Sequence, residues 1–209
     1  MSTVNGDWPR VSTVLRDMGL AKPYPPFIPH IEHARLRGQA VAEAIRLHEL
    51  GQLDRGPLHP EVGPRFVSYL AFRRLFHPVE VEREVSSAEL RVRGTLDAAG
   101  YWRDLVPQQS IIVDYKCSDK PDLDAATYQL AAYALLRFPT MPPGTVPTFC
   151  VELREEGHRI HDCTSPDAGH IFTAAVRLWW ARREGPTRST LGLTTQAAMS
   201  ENPDHVSRD

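Results

Sequence analysis

The sequence predicts an α/β protein with a central mixed β-sheet flanked by helices. Three observations predict it. Residues 31–50 and 125–136 carry apolar residues at helical spacing. Residues 79–97 and 110–116 read as strands, the first stretch by alternation and the second as an unbroken apolar run ending in an acid and a lysine. A second strand pair, 148–162, is followed by a final helical pattern. Helices, three strands, helix, two strands, helix is an order that one sheet with helical layers satisfies. At 209 residues the chain is long enough for a single domain with a sizeable core.

The elements follow in order. Residues 1–10 are expected to be a loose arm, and Val11 to Met18 a short helix with Ser12 as its cap and Gly19 as its stop. The proline-rich run from Lys22 to Pro29 is a stiff connector. Ile31 to Leu50 is an amphipathic helix closed by Gly51, and Glu61 to Phe76 is another. Strands are expected at Val79–Val85, Leu90–Asp97 and Ser110–Lys116. Asp122 and Asp124 precede a helix at Ala125–Leu136, as acids favour a helix N-terminus. After a second proline-rich turn, Thr148–Leu153 and Gly157–Asp162 form a hairpin. Ser165-Pro166 then opens a helix that runs to Glu184 and buries Ile171, Val176 and Trp179. From Gly185 onward the pattern predicts a mobile tail.

Composition narrows the function classes. No run of 18 apolar residues exists, so a membrane span is not expected, and the N-terminus lacks a signal-peptide pattern, which predicts a cytoplasmic, intracellular protein. The net charge of −2 argues against coating nucleic acid by bulk charge but leaves room for a local basic groove. Lysine occurs only at Lys22, Lys116 and Lys120, so Lys116 stands out within its strand. Cys117, Cys150 and Cys163 form no C-x-x-C pattern, and three cysteines cannot supply the four thiolates of an iron–sulfur cluster, so no such cluster is expected. His158, His161 and Cys163 suggest zinc, but strand alternation turns His158 away from the other two.

The chemistry concentrates between Arg93 and Lys116. Asp97 ends one strand, and Asp114 and Lys116 share a face of the next because strand side chains alternate. Two carboxylates and a lysine at one sheet edge can hold a hard divalent cation beside a phosphate. Asp97 and Asp114 are the candidate ligands, and Tyr115 could add its carbonyl oxygen. Lys116 could orient or deprotonate a water. Gln129 and Tyr133, four apart, share a helix face that can support the strand end or touch a nucleic-acid backbone. Taken singly, Asp97 reads better as a strand-ending turn residue and Asp114–Lys116 as an exposed ion pair worth about 0–1 kcal/mol; together they favour a metal site.

The order Glu82, Gly94-Thr-Leu-Asp97, Asp114-Tyr-Lys116, Gln129-x-x-x-Tyr133 resembles the RecB-like branch of the PD-(D/E)XK nuclease superfamily. Trp8-Pro-Arg-Val-Ser-Thr-Val-Leu and Arg37-Gly-Gln-Ala-Val resemble segments upstream of the core in its phage and CRISPR-associated members, so the likeness spans roughly residues 8 to 135. The resemblance implies an αβββαβ restriction-endonuclease-like core. It divides residues 1–184 into a helical part, 1–77, and a catalytic part, 78–184, with 185–209 as the tail. It makes Glu82 the upstream acid. It implies a Mg²⁺- or Mn²⁺-dependent exonuclease acting on single-stranded DNA or DNA ends, with a recombination or replication protein as partner. One departure is clear. The family places a metal-binding histidine directly after Gly-x-x-Val, and here Ala42 follows Gly38-Gln-Ala-Val41. His48 lies six residues on, about 600° of helix rotation away, and cannot replace it. The departure keeps open an alternative, a catalytically weakened DNA-binding subunit.

Overall fold

The computed structural model describes residues 8–23, 28–54, 56–118 and 120–184. Its elements are α1 (Val11–Asp17), α2 (Pro29–Glu49), α3 (Gly63–Arg73), β1 (Phe76–Ser87), β2 (Val92–Trp102), β3 (Ile111–Lys116), α4 (Leu123–Arg137), β4 (Thr148–Leu153), β5 (His158–Asp162) and α5 (Pro166–Glu184). The strands form one five-stranded sheet in the order β1-β2-β3-β4-β5. Only β3 and β4 are parallel. A parallel pair needs a long crossover, and α4 supplies it. The fold is thus α/β, a mixed sheet between helical layers, with helices at the N-terminal end.

Two cores fill the faces of the sheet. On one side α1, α4 and α5 bury Val14, Leu130 and Phe172 against Leu96 and Ile112. On the other, α2 and α3 bury Ile45, Tyr69 and Phe72 against Val113 and Val151. β3 lies between both layers, which is why its sequence reads apolar without alternation. Local chemistry fixes the helix ends. The Asp122 carboxylate accepts the Ala125 N–H at 3.2 Å, and Ser165 Oγ accepts that of Ala168 at 3.1 Å. Gly51, at φ 68°, closes α2 with paired bonds from Gln52 N–H to Leu47 O and Gly51 N–H to His48 O.

Several boundaries differ from expectation. Phe76 does not end α3: it begins β1, fully buried and stacked on Phe72 at 5.4 Å between ring centroids. The sheet therefore starts inside the stretch expected to be wholly helical, and a division at 77/78 cuts β1. Ser12 does not cap α1. Arg10 occupies that position without a side-chain bond, and its carbonyl accepts from Thr13 and Val14. The cause lies upstream, because Trp8–Arg10 is not loose. Pro9 O accepts the Arg93 N–H at 3.0 Å and Trp8 O accepts Arg93 Nε at 3.2 Å, so a stretch expected to be an arm docks along β2. Residues 1–7 and the expected tail, 185–209, lie outside the described residues. Ile171 is 41% exposed, because Ala168, Phe172, Val176 and Trp179 define the buried stripe of α5. The adjacent tryptophans are structural: Trp179 Nε1 donates to Asp17 and Trp180 Nε1 to Leu90 O. Among the described residues no helix is long and apolar enough to cross a membrane.

Gly94 links the fold to the site. A Cβ there would lie 2.6 Å from Tyr133 Cε1 and 3.3 Å from Val11 Cγ2, so only glycine lets α4 approach β2 this closely. Gly94→Ala is expected to cost about 1–3 kcal/mol by overpacking, read from urea unfolding. An unchanged midpoint would show that the contact gives way.

Candidate functional site

The β2/β3 ladder ends at Ala98↔Val113. The next positions, Asp97 and Asp114, therefore face each other at the mouth of a fork. Asp97 spans the opening, its Oδ2 accepting the Tyr115 N–H at 2.8 Å. On the far side of β2, the pairs Val81↔Ala98 and Arg83↔Leu96 place Glu82 opposite Asp97. Three acids thus line up across three neighbouring strands. The strands are irregular here. Leu96 packs with the α4 layer and Ala98 with the α2–α3 layer, although residues two apart share a face on a regular strand. Glu82 adopts φ 48°, a left-handed conformation costly for a residue with a side chain. Breaks of this kind re-aim side chains and recur beside active sites.

A cleft of about 620 Å³ opens at the fork, between α2 on one side of the sheet and α4 on the other. Ala34, Gly38 and Ala42, each a turn apart on α2, form its small-residue wall, and a Cβ on Gly38 would meet nothing within 4 Å. Ala42 lines the same cleft as the two acids. His48 points elsewhere, edge-on to Phe66 and Tyr69.

Electrostatics make the pair of acids costly. Burial, and then the Asp114 charge, push the Asp97 pKa far above the ordinary carboxylate range; Lys116 and the Tyr115 N–H pull it back only partly. Burial also raises Glu82. Burial works against the Lys116 ammonium, but the Asp114 and Asp97 charges outweigh it and hold its pKa above the usual lysine value. Asp114 is 1% exposed, and its Oδ2 lies 2.7 Å from Lys116 Nζ yet has no hydrogen-bond partner. The ammonium meets that oxygen as a charge, outside hydrogen-bond angles. A buried carboxylate partnered by an ammonium, beside a second carboxylate, is an oxygen donor set that fits a hard divalent cation. Among the described residues no three His, Cys, Asp or Glu side chains come together. The two aspartates would therefore hold the ion, with its remaining positions left to peptide oxygen, water or phosphate.

The other candidates divide. Gln129 lines the cleft, its Oε1 3.4 Å from Lys116 Nζ and its Nε2 donating to Tyr133 Oη at 3.1 Å. Tyr133 itself is 5% exposed under Gly94, which suits support of Gln129 and not contact with a ligand. The Tyr115 ring is core, edge-on to Tyr69 and Phe72. Glu80 belongs to a separate ion pair, accepting from Arg137 Nε at 2.7 Å. His158 and His161 lie apart, the former against Phe72 and the latter 3.2 Å from Glu152, so the zinc pattern is not assembled. Cys163, just past β5, is 4% exposed, while β5 itself has no buried residue. Glu152, 1% exposed and bonded to Arg154 and His161, escaped the sequence reading because nothing local marks a buried acid.

No family model matches the chain, and no curated protein does. Among solved structures it is similar to one described as "Crystal structure of SSO0001", with 16% identity, 83% of each chain covered and a TM-score of 0.35.

The raised Asp97 pKa sets a sign for stability. A group whose folded pKa lies above its unfolded value supports folding fully below the unfolded pKa, and that support is lost as pH rises through the folded pKa. Asp97→Asn keeps the acceptor for Tyr115 and removes the charge. In metal-free buffer the variant should melt higher than wild type at about pH 9 and lose that advantage near pH 4, around the ordinary carboxylate pKa. Parallel melting curves across the range would contradict the buried repulsion.

Proposed function

We propose that this chain is a divalent-cation-dependent nuclease of the RecB-like PD-(D/E)XK type, acting as an exonuclease on single-stranded DNA or DNA ends. The observation that carries the reading is the fork: Asp97 and Asp114 opposite each other on neighbouring strands, Lys116 beside them and Gln129 behind. Phosphodiester hydrolysis needs a nucleophilic water and neutralised phosphate oxygens. Mg²⁺ or Mn²⁺, when bound, supplies both by polarising water and drawing off phosphate charge. Asp97 and Asp114 hold the ion. The Tyr115 N–H fixes the Asp97 carboxylate in the fork. Lys116, kept as an ammonium by its two acid neighbours, orients the water and balances charge on a non-bridging oxygen instead of serving as the base. Gln129 positions the ammonium, and Tyr133 positions Gln129. Glu82 adds negative charge behind Asp97 and favours a cation there. A recombination or replication protein is the partner this activity suits, in a phage or prokaryotic cell.

One observation favours a second reading, a weakened nuclease retained for DNA binding. Ala42 lines the cleft where the resemblance puts a metal-binding histidine. The retained acids and lysine favour the active form. Fewer protein ligands also favour Mn²⁺, which binds such donor sets more tightly than the hard, exacting Mg²⁺.

Purified protein with end-labelled single- and double-stranded DNA tests the reading. Cleavage should require a divalent cation, run faster with Mn²⁺ than Mg²⁺, and vanish in Asp114→Asn. Asparagine is the apt replacement, because Asp114 is buried and alanine would leave a void beside Lys116. Lys116→Ala should slow cleavage by about 10²–10³-fold. Ala42→His should raise the Mg²⁺-supported rate. Undiminished cleavage by Asp114→Asn would refute the assigned site.

A further inference from the structure

We infer that an arginine-lined pocket on the β1–β2 ribbon is a subsite for the phosphate backbone of the nucleic-acid strand, a few nucleotides from the acids. The inference rests on the nuclease reading for its substrate and on separate residues for its evidence. Beyond the fork, β1 and β2 continue as a two-stranded ribbon no longer paired with β3. There they enclose a pocket of about 330 Å³ lined by Arg10, Arg83 and Arg93, with Ser86, Thr95 and one acid, Glu84. Its construction is long-range. Arg10 reaches it only because Trp8–Arg10 docks beside β2, bridging to Arg93, whose other neighbour is Ser86. Arg10, Arg93 and Ser86 thus sit in one row across three adjacent chain segments.

Several arginines of the described residues have acid partners, as in Arg35–Glu32, Arg46–Glu43, Arg73–Glu49, Arg137–Glu80 and Arg183–Asp17. Among the described residues Arg10, Arg83 and Arg93 are ion-paired to none. Arg93 spends Nε on the Trp8 carbonyl and keeps its terminal nitrogens. Three arginines against one glutamate give the pocket's lining a positive balance in a chain of net charge −2. Forked guanidiniums with flanking hydroxyls match phosphate oxygens.

The placement selects a polymer over a free anion. Arg83 adjoins Glu82, and Thr95 and Arg93 lie two and four residues from Asp97 on the same strand. Four strand residues span about 13 Å. A strand with one phosphate at the aspartates would thus present another to the arginines. An acidic peptide would meet the same charge without the forked match, and it serves as the competitor in the test.

Binding of a fluorescent single-stranded oligonucleotide, followed by anisotropy in EDTA over a range of salt, reads the pocket without cleavage. The Arg10→Gln/Arg83→Gln variant removes two exposed side chains and leaves Arg93 to hold the docked arm. Its affinity should fall several-fold or more. The slope of log affinity against log salt should shrink by about 0.7 for each arginine that neutralises a phosphate. In Mn²⁺ the variant should cut long strands with raised KM and cut a dinucleotide, which has a single phosphate, as well as wild type does. Weakened binding supports the subsite whether or not wild type cuts DNA. Unchanged affinity and slope, no binding by wild type, or displacement by polyglutamate as easily as by DNA would each overturn it.

Discussion

Asp97 and Asp114 place two carboxyl groups side by side, Asp114 buried and Asp97 half-buried at the floor of the cleft, and much of the surrounding structure can be traced to keeping them there. β2 and β3 stop pairing at Ala98↔Val113, so the carboxylates occupy the space the next rung would fill. The Tyr115 N–H, freed from that rung, holds Asp97 instead. Lys116 offsets the charge from one side and Gln129 steadies Lys116 from α4. Such an arrangement is poor for stability, since buried charge is repaid only when well compensated. Its retention is what a functional site leads one to expect.

The two helical layers serve this fork differently. The α4 layer comes in tightly, with Tyr133 pressed on Gly94, and so fixes Gln129 relative to the strands. The α2 layer stands off. Its small residues at 34, 38 and 42 leave a cleft of about 620 Å³ open to the acids. A rigid wall and an open wall around one charged point form a site that a flexible chain with a charged backbone could enter. The unpaired β1–β2 ribbon prolongs the open side and, on our inference, continues it as a phosphate track.

Much of this was legible in the sequence because it depends on local periodicity. The element order, the shared face of Asp114 and Lys116, the cap at Asp122, the Gly51 stop and the Gln129–Tyr133 pair all follow from spacing within a few residues. What escaped depends on contacts between distant segments. Nothing local shows that Trp8–Arg10 docks on β2, that Glu80 pairs with Arg137, or that Glu82 turns left-handed opposite Asp97. Asp114, read from sequence as lying at a sheet edge, is buried on an inner strand, because burial is set by α4 and β4 and not by the strand itself.

The central claim is that the two aspartates form one cation site, and calorimetric titration of the metal-free protein with Mn²⁺ tests it most directly. The account predicts one ion bound per chain, with binding lost in both Asp97→Asn and Asp114→Asn while both variants remain folded. Binding that survives either substitution, or no binding by the wild-type protein, would contradict it.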